Sequence, residues 1–128
     1  MKSPDLRLDG QAAVVTGASS GLGVIIAKTL AAQGCAVVVA ARRRHLLDDL
    51  TAKIIDVGGQ AVAVTCDVRD PGHGDLLAEA CLSTFGRLDG VVANAGIAGG
   101  GPAETEAISV FAEVMAVNVT AVAILTAA

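Results

Sequence analysis

VVTGASSGLG, residues 14–23, joins an apolar run to an amphipathic run through three glycines and decides the fold of this chain. β-Branched residues lead into Gly17, small polar residues occupy positions 18–20, and Gly21 and Gly23 begin the next helix. Backbone N–H groups at such a helix start can bind phosphate, and glycine lets the ligand approach closely. The stretch therefore predicts a phosphate-binding turn. The residues that we assign to it are Gly17, Ser19, Ser20, Gly21, Leu22 and Gly23.

The spacing of these glycines narrows the kind of phosphate ligand. The pattern is G-x-x-x-G-x-G, whereas the P-loop reads G-x-x-x-x-G-K-[ST] and the common dinucleotide fingerprint reads G-x-G-x-x-G. No lysine follows the last glycine. The spacing therefore argues against an ATP or GTP hydrolase.

The composition favours a single α/β domain over residues 1–128. Hydrophobic residues make up 53% of the 128 residues but aromatic residues only 2%, so small aliphatic side chains must build the core. Such a core suits helices packed closely on a parallel sheet. The net charge of -4 argues against a nucleic-acid partner or an anionic membrane, since both are bound through basic patches.

Cysteine and histidine usage predicts neither disulfides nor a metal site. Cys35, Cys66 and Cys81 are odd in number, widely spaced and set in apolar surroundings, which indicates buried free thiols. His45 and His73 have no partner at metal-ligand spacing, and we expect both on the surface. With no signal-peptide core and no apolar run of about 18 residues, a cytoplasmic location is expected.

Apolar runs of strand type alternate with helical patterns along the chain. The predicted strands cover residues 12–16, 35–41, 60–66 and 90–93, and a last long helix is predicted from about residue 104 onward. Strands alternating with helices of this length imply right-handed βαβ units and a doubly wound parallel sheet. The first helix presents a predicted buried stripe of Leu22, Ile25, Ile26 and Leu30, and the third presents Leu76, Leu77, Ala80, Cys81 and Phe85.

Residues with binding chemistry follow the carboxyl end of each predicted strand. In a doubly wound sheet, ligands bind at this edge, where the strand order reverses. Chance would scatter such residues instead of placing them at four equivalent points. They are the glycine turn, Arg42 with Arg43, Asp67 with Val68, and Asn94 with Ala95 and Gly96.

These motifs together resemble the short-chain dehydrogenase/reductase family over essentially the whole chain. TGASSGLG at residues 16–23 is similar to the family's TGxxxGxG, and Cys66-Asp67-Val68 is similar to its adenine-contacting acidic dipeptide. Asn94-Ala95-Gly96 looks like its NAG motif, and Asn118 in VNVT matches its structural and catalytic asparagine. The resemblance implies a Rossmann-like sheet with the strand order third, second, first, fourth. It also implies an oxidoreductase that transfers hydride between a nicotinamide cofactor and an alcohol or carbonyl compound.

The resemblance also suggests roles for individual residues. Asp67 would accept a hydrogen bond from the adenine amino group; its alternative role is to cap the turn before Pro71. Residues 94–96 would lie beneath the adenine ribose, and Asn118 would be a catalytic residue. Asp89, before the fourth strand, would stabilise the sheet and not bind a ligand.

The end of the second strand favours NADP(H) over NAD(H). NAD-binding relatives place an acidic residue there, which accepts hydrogen bonds from the ribose hydroxyls, whereas this chain has Ala41. Arg42 can bind a 2′-phosphate through two charge-assisted hydrogen bonds, and Arg43 adds a second cation. NAD(H) is the alternative cofactor. Under the alternative interpretation, both arginines belong to the solvated first turn of a helix.

The family's serine and Tyr-x-x-x-Lys pair do not occur, since the chain has no tyrosine and its last lysine is Lys53. The tyrosine serves as general acid–base, so we expect the 128 residues alone to be inactive. The helix running to Ala128 lacks a stop signal, and the fourth strand lacks edge protection, which suggests an unfinished domain. By resemblance, this last helix would pack against a second copy. The alternatives are a non-catalytic dinucleotide-binding module or pseudoenzyme, and a structural domain that binds nothing.

Overall fold

Four parallel strands and three helices alternate along the part of the chain that the computed structural model describes, residues 7–95. The strands pair in the order β3-β2-β1-β4. This arrangement confirms the doubly wound α/β sheet of Rossmann type and the strand order that the family resemblance implies. The elements are β1 (Ala12–Thr16), α1 (Gly21–Ala32), β2 (Ala36–Ala41), α2 (Arg44–Asp56), β3 (Ala61–Thr65), α3 (His73–Phe85) and β4 (Gly90–Val92).

The two central strands, β1 and β2, carry the core because both of their faces are covered. Alternate residues point to opposite sides of the sheet, so each strand supplies two separate clusters. On one side Ala13, Val15, Val37 and Val39 pack with buried residues of α1 and α2. On the other side Ala12, Val14, Ala36, Val38 and Ala40 pack with Leu77 and Cys81 of α3. Valine and alanine fill both layers, as the composition predicts.

Helix α1 contacts the sheet through its small residues. Gly23, Ala27 and Ala31 are its buried positions, whereas Leu22 is 63% and Ile25 is 61% exposed. The predicted buried stripe was therefore wrong for Leu22 and Ile25. Ile26 and Leu30 are half-buried and pack against the edge of the cluster. Small residues let the helix backbone lie close to β1 and β2, so the larger side chains flank the contact and do not form it.

Helix α1 ends in a tight turn that leads directly into β2. Gly34 adopts a φ of 95°, a left-handed conformation that favours glycine. Its N–H donates to the Ala31 carbonyl at 3.0 Å, and the N–H of Cys35 donates to the Leu30 carbonyl at 3.1 Å. These two bonds satisfy the carbonyl groups of Ala31 and Leu30 near the end of the helix and fix where β2 begins.

Helix α3 starts at a histidine that the sequence prediction placed wrongly. His73 is only 1% exposed and not on the surface, and its Nδ1 lies 2.8 Å from the Asp70 carbonyl oxygen. That distance fits an Nδ1–H donating to the carbonyl. A histidine can be buried at the start of a helix in this way because a nearby backbone carbonyl oxygen accepts a hydrogen bond from one ring nitrogen. Leu76, predicted to be in the buried stripe, is 46% exposed, whereas Leu77 is fully buried.

Asp89 holds the beginning of β4 against the beginning of β1. Its carboxylate accepts a hydrogen bond from the Ala12 N–H at 2.8 Å, and its own N–H donates to the Ala12 carbonyl at 2.8 Å. Arg87 donates to the same carboxylate at 2.6 and 2.7 Å. The predicted sheet-stabilising role of Asp89 is therefore confirmed, at the end of the sheet opposite the glycine turn.

All three cysteines are free thiols, and their predicted burial is confirmed for two of them but was wrong for Cys66. Cys35 and Cys81 are buried, and Cys66 is half-buried. Between residues 7 and 95, no helix is both long and apolar enough to cross a bilayer. The helix predicted from residue 104 onward lies outside the described residues.

Candidate functional site

The start of α1 presents backbone N–H groups beyond the carboxyl end of β1. The cap residue Ser20 has an extended backbone, and within residues 7–95 its side chain makes no capping hydrogen bond. The first helical turn also carries no acidic side chain. The first N–H groups of a helix lack partners within the helix, and the helix dipole makes this end attractive to anions. Gly21, Leu22 and Gly23 therefore offer donors suited to a phosphate.

Glycine is required at position 23 because the chain comes very close to itself there. A Cβ at Gly23 would overlap the carbonyl oxygen of Gly17 and would lie 2.7 Å from Nδ2 of Asn94. A Cβ at Gly17 would lie 2.9 Å from the backbone nitrogen of Ala95. The turn, the helix start and the loop after β4 are thus packed backbone against backbone.

The Thr16 hydroxyl connects the turn to the end of β4. It accepts hydrogen bonds from the N–H groups of Asn94 and Ala95, both at 3.1 Å, and it donates to the Val92 carbonyl at 3.4 Å. The Asn94 amide adds a fourth bond, from Nδ2 to the Gly17 carbonyl at 3.3 Å. Asn94 and Ala95 are therefore fixed beside the glycine turn.

The basic residues after β2 reach the same edge of the sheet. The N–H of Ala18 donates to the carbonyl of Ala40 at 3.2 Å, which ties the turn to the last residues of β2. Nη2 of Arg43 lies 3.3 Å from Oγ of Ser19, so this guanidinium group extends over the glycine turn. Arg42 is exposed, and Arg44 is engaged with Asp48 on α2 at 2.9 Å. Arg43 thus supplies positive charge beside the turn that leads into α1, and Arg42 precedes it at the end of β2.

Asp67, directly after β3, forms an ion pair with Arg69 that closes a short turn. Its Oδ2 lies 2.7 Å from Nη2 of Arg69, and its Oδ1 accepts the Arg69 backbone N–H at 2.9 Å. Hydrogen bonds from Arg69 lower the pKa of the Asp67 carboxyl to about 2, and the charge of Arg42 contributes to the same shift. The structure thus gives Asp67 a turn-forming role, with Arg69 as the partner, and leaves its adenine contact a prediction. Val68 beside it is half-buried.

The sequence model of the short chain dehydrogenase family matches residues 11–128. The chain belongs to this family. It is 41% identical over 100 residues to the 7alpha-hydroxysteroid dehydrogenase of Escherichia coli K12, a match that covers 78% of this chain and 38% of that protein. It is 34% identical over 116 residues to the D-threitol dehydrogenase of Mycolicibacterium smegmatis, covering 91% and 45%. The chain therefore spans less than half the length of these curated relatives.

Solved structures of the family superpose closely on this short chain dehydrogenase domain. A metagenomic short-chain oxidoreductase in complex with NADP is 37% identical and gives a TM-score of 0.87, covering 94% of this chain and 55% of that one. A variant of actinorhodin polyketide ketoreductase with NADPH is 32% identical with a TM-score of 0.87, covering 98% and 47%.

The structure gathers most of the predicted site residues of this family member at one edge of its sheet. The glycine turn, Arg43, Asn94 and Ala95 are linked by direct hydrogen bonds, and Arg42 acts electrostatically on Asp67. The predicted residues Gly96 and Asn118 lie outside the described part of the chain. Among residues 7–95, no group of three His, Cys, Asp or Glu side chains could hold a metal ion.

Two residues that shape this edge were not singled out from the sequence. Thr16 stood inside the quoted motif, and its position between an apolar strand and a glycine was a signal that a buried hydroxyl would need partners. Arg69 stands two residues after Asp67, a spacing at which an arginine can fold back onto a carboxylate in a turn. In this short chain dehydrogenase, both residues fix the positions of the predicted binding residues.

Proposed function

We propose that this chain binds NADP(H) and forms the cofactor-binding part of an oxidoreductase that interconverts alcohols and carbonyl compounds. The observation that carries the proposal is the free start of α1, which lies against the glycine turn with Arg43 extended over Ser19 at 3.3 Å. The turn suits the pyrophosphate of a dinucleotide because Gly17 and Gly23 let the turn and the helix start pack closely, while an added Cβ at Gly21 would meet no described atom within 4 Å. When bound, the nicotinamide ring supplies or accepts the hydride.

The proposed contacts follow the four strand ends. The N–H groups of residues 21–23 bind the pyrophosphate, and the guanidinium groups of Arg42 and Arg43 bind the 2′-phosphate. Asp67 and Val68 contact the adenine. Asn94, Ala95 and Gly96 line the side of the adenine ribose, and Asn118 takes part in catalysis.

Preference for NADP(H) rests on charge at the end of β2. Ala41 offers no carboxylate to the ribose hydroxyls, and the two arginines after it would interact favourably with a doubly charged phosphate. Two structural relatives were solved with NADP or NADPH, which supports binding of a nicotinamide dinucleotide. NAD(H) is the alternative, and it would use the same glycine turn without the 2′-phosphate contacts.

The preference for NADP(H) is tested by measuring the affinities of the purified chain for NADPH and NADH with titration calorimetry. We expect Arg42→Asp to weaken NADPH binding by at least about tenfold and NADH binding by less than about threefold, because only NADPH carries the phosphate. Lys28→Asp, which reverses a charge on an exposed position of α1, is the control and should change neither affinity. Equal losses for both nucleotides would contradict a 2′-phosphate contact at Arg42.

We further propose that the 128 residues by themselves bind the cofactor without turning over a substrate. The sequence contains no tyrosine to act as the general acid–base residue of the family. The same observation favours a non-catalytic dinucleotide-binding module as the second candidate function. An assay of NADPH oxidation with a panel of ketones and aldehydes tests both, since measurable turnover by this chain would contradict them.

A small-molecule substrate and a second copy of the chain are the partners that we propose for the whole protein. We propose a small alcohol or carbonyl compound as substrate and a second copy of the chain as partner, docked through the helix predicted from residue 104 onward. A mass measurement by light scattering after gel filtration would distinguish a monomer from a dimer. The cytoplasmic location stays a prediction from the sequence.

A further inference from the structure

In the turn after β3, both the guanidinium group and the backbone N–H of Arg69 donate hydrogen bonds to the Asp67 carboxylate. Its Nε lies 3.0 Å from Oδ1 and 3.1 Å from Oδ2, its Nη2 lies 2.7 Å from Oδ2, and its backbone N–H lies 2.9 Å from Oδ1. A forked guanidinium group and a backbone amide on one carboxylate leave it little freedom to rotate. The Asp67 side chain is thus held in one orientation before any ligand arrives.

Stability alone is a weak reason for this arrangement. The Asp67 and Arg69 side chains are 31% and 36% exposed, and ion pairs with that degree of exposure contribute little to folding free energy. The ion pair does, however, fix the orientation of the Asp67 carboxylate. The Arg69 fork occupies the edge of the carboxylate that faces it, so the remaining lone pairs face elsewhere.

The Asp67–Arg69 ion pair lies at the same edge of the sheet as Arg42. Thr65, the last residue of β3, pairs with Ala41, the last residue of β2, so Asp67 follows β3 at the edge where Arg42 follows β2. The charge of Arg42 acts on the Asp67 carboxyl. The oriented carboxylate therefore lies on the same edge as the proposed phosphate contacts.

We propose that Arg69 is a positioning residue that makes the site select 6-aminopurine over 6-oxopurine dinucleotides. This inference rests on the proposed function, in which Asp67 receives the adenine of the cofactor. An ionised carboxylate accepts a hydrogen bond from the adenine amino group, whereas the 6-oxo group of hypoxanthine has only lone pairs to present to it. Selection between the two bases then depends on a carboxylate that is both charged and held in place.

Removal of the guanidinium group should relax this selection without abolishing binding. A freed Asp67 side chain can rotate away, toward Arg42 or into solvent, and must be ordered again when the nucleotide binds. It can then also turn aside from a 6-oxo group and avoid the repulsion. The preference for the amino form therefore falls, while contacts to the pyrophosphate and the 2′-phosphate persist.

The test compares the dissociation constants of NADP⁺ and nicotinamide hypoxanthine dinucleotide phosphate for the full 128-residue chain, measured by titration calorimetry. For the unaltered protein we expect about a tenfold preference for NADP⁺, the effect of one good hydrogen bond. Arg69→Met should reduce the ratio to about two or less, and Arg69→Lys, which keeps the charge without the fork, should give an intermediate value. Asp67→Asn should reduce the ratio as well, because its amide can donate to the 6-oxo group.

Arg87→Met is the matched control. Arg87 also grips an aspartate two positions away, Asp89, but at the opposite end of the sheet, so the control should retain the tenfold ratio. Circular dichroism verifies that each variant is folded, and Arg69→Gln replaces Arg69→Met in the comparison if the latter unfolds. An unchanged ratio in the Arg69 variants would overturn the inference. Failure of the unaltered protein to bind either nucleotide would instead overturn the proposed function.

Discussion

The Thr16 hydroxyl joins the ends of β1 and β4 by accepting a hydrogen bond from the backbone N–H of Asn94 at 3.1 Å. The same oxygen accepts the N–H of Ala95, and Thr16 is 1% exposed. One buried hydroxyl group thus satisfies two backbone donors of the loop after β4. It keeps that loop in register with the glycine turn, which begins at the next residue.

Replacing Thr16 with Val should therefore destabilise the fold. Valine has nearly the same shape but removes the hydroxyl that accepts from the Ala95 N–H. It also removes one of the two acceptors of the Asn94 N–H, which still donates to the Val92 carbonyl at 3.0 Å, so we expect a cost of about 1–2 kcal/mol. The measurement is the free energy of unfolding from urea titration. Thr16→Ser keeps the hydroxyl and should recover most of the loss. A Val variant as stable as the unaltered protein would mean that these two hydrogen bonds contribute nothing measurable.

Gly23→Ala should destabilise the fold more than the same substitution at Gly72. The added methyl group would overlap the Gly17 carbonyl oxygen, which belongs to backbone and cannot move aside like a flexible side chain. Overpacking of this kind costs about 2–3 kcal/mol. Gly72→Ala is the control, since an added methyl group would meet nothing within 4 Å there and the φ of Gly72 is -87°. We expect urea midpoints to fall for Gly23→Ala and stay near the original value for Gly72→Ala.

Acid should weaken the fold partly through Asp89. Hydrogen bonds from Arg87 and then from the Ala12 N–H hold the pKa of this carboxyl below its usual range. A group whose pKa is lower in the folded chain stabilises the fold above its unfolded pKa, and that contribution is lost as the pH falls through the folded pKa. The urea midpoint should therefore decline as the pH falls from about 5 to about 2, where free aspartate titrates.

Asp89→Asn provides the comparison for this pH dependence. The amide oxygen can still accept from Ala12, but the group no longer titrates, so the midpoint should depend less steeply on pH. Asp49→Asn, at an exposed position of α2, is the control and should keep the original dependence. If all three proteins respond to acid identically, Asp89 does not contribute to the acid sensitivity. Some dependence should persist in every variant because hydrogen bonds from Arg69 also lower the pKa of Asp67.

The sequence predicted the order of elements well because each β-branched run ended at a residue that stops or turns the chain. β1 matches its predicted bounds, and β2, β3 and β4 differ from theirs by one residue at one or both ends. The pairing order of the strands is a different kind of information. Alternation alone does not order the strands within a sheet, and that prediction came from the family resemblance.

Side-chain burial within the helices was predicted less well, for a physical reason. A hydrophobic stripe assumes that the largest apolar residues face the sheet, whereas α1 is drawn close by Gly23 and Ala27, and Leu22 remains exposed. The sequence also did not predict the local polar contacts of His73 and Arg69. The burial of His73 and the fold-back of Arg69 onto Asp67 depend on the shape of the turn between β3 and α3, which no periodicity encodes.

The thiol of Cys66 should be unreactive although the residue is only half-buried. Burial is the largest cause that raises its pKa, the negative charges of Asp67 and Asp70 add to it, and the pKa reaches about 11. At pH 8 only about one thiol in a thousand is then ionised, and the thiolate is the reactive form. Alkylation by iodoacetamide, followed by peptide mass spectrometry, should be over about 100-fold slower in the folded chain than in urea. The rate should rise about tenfold between pH 8 and pH 9, since the thiolate fraction does; a rate equal to that of the unfolded chain would contradict the raised pKa.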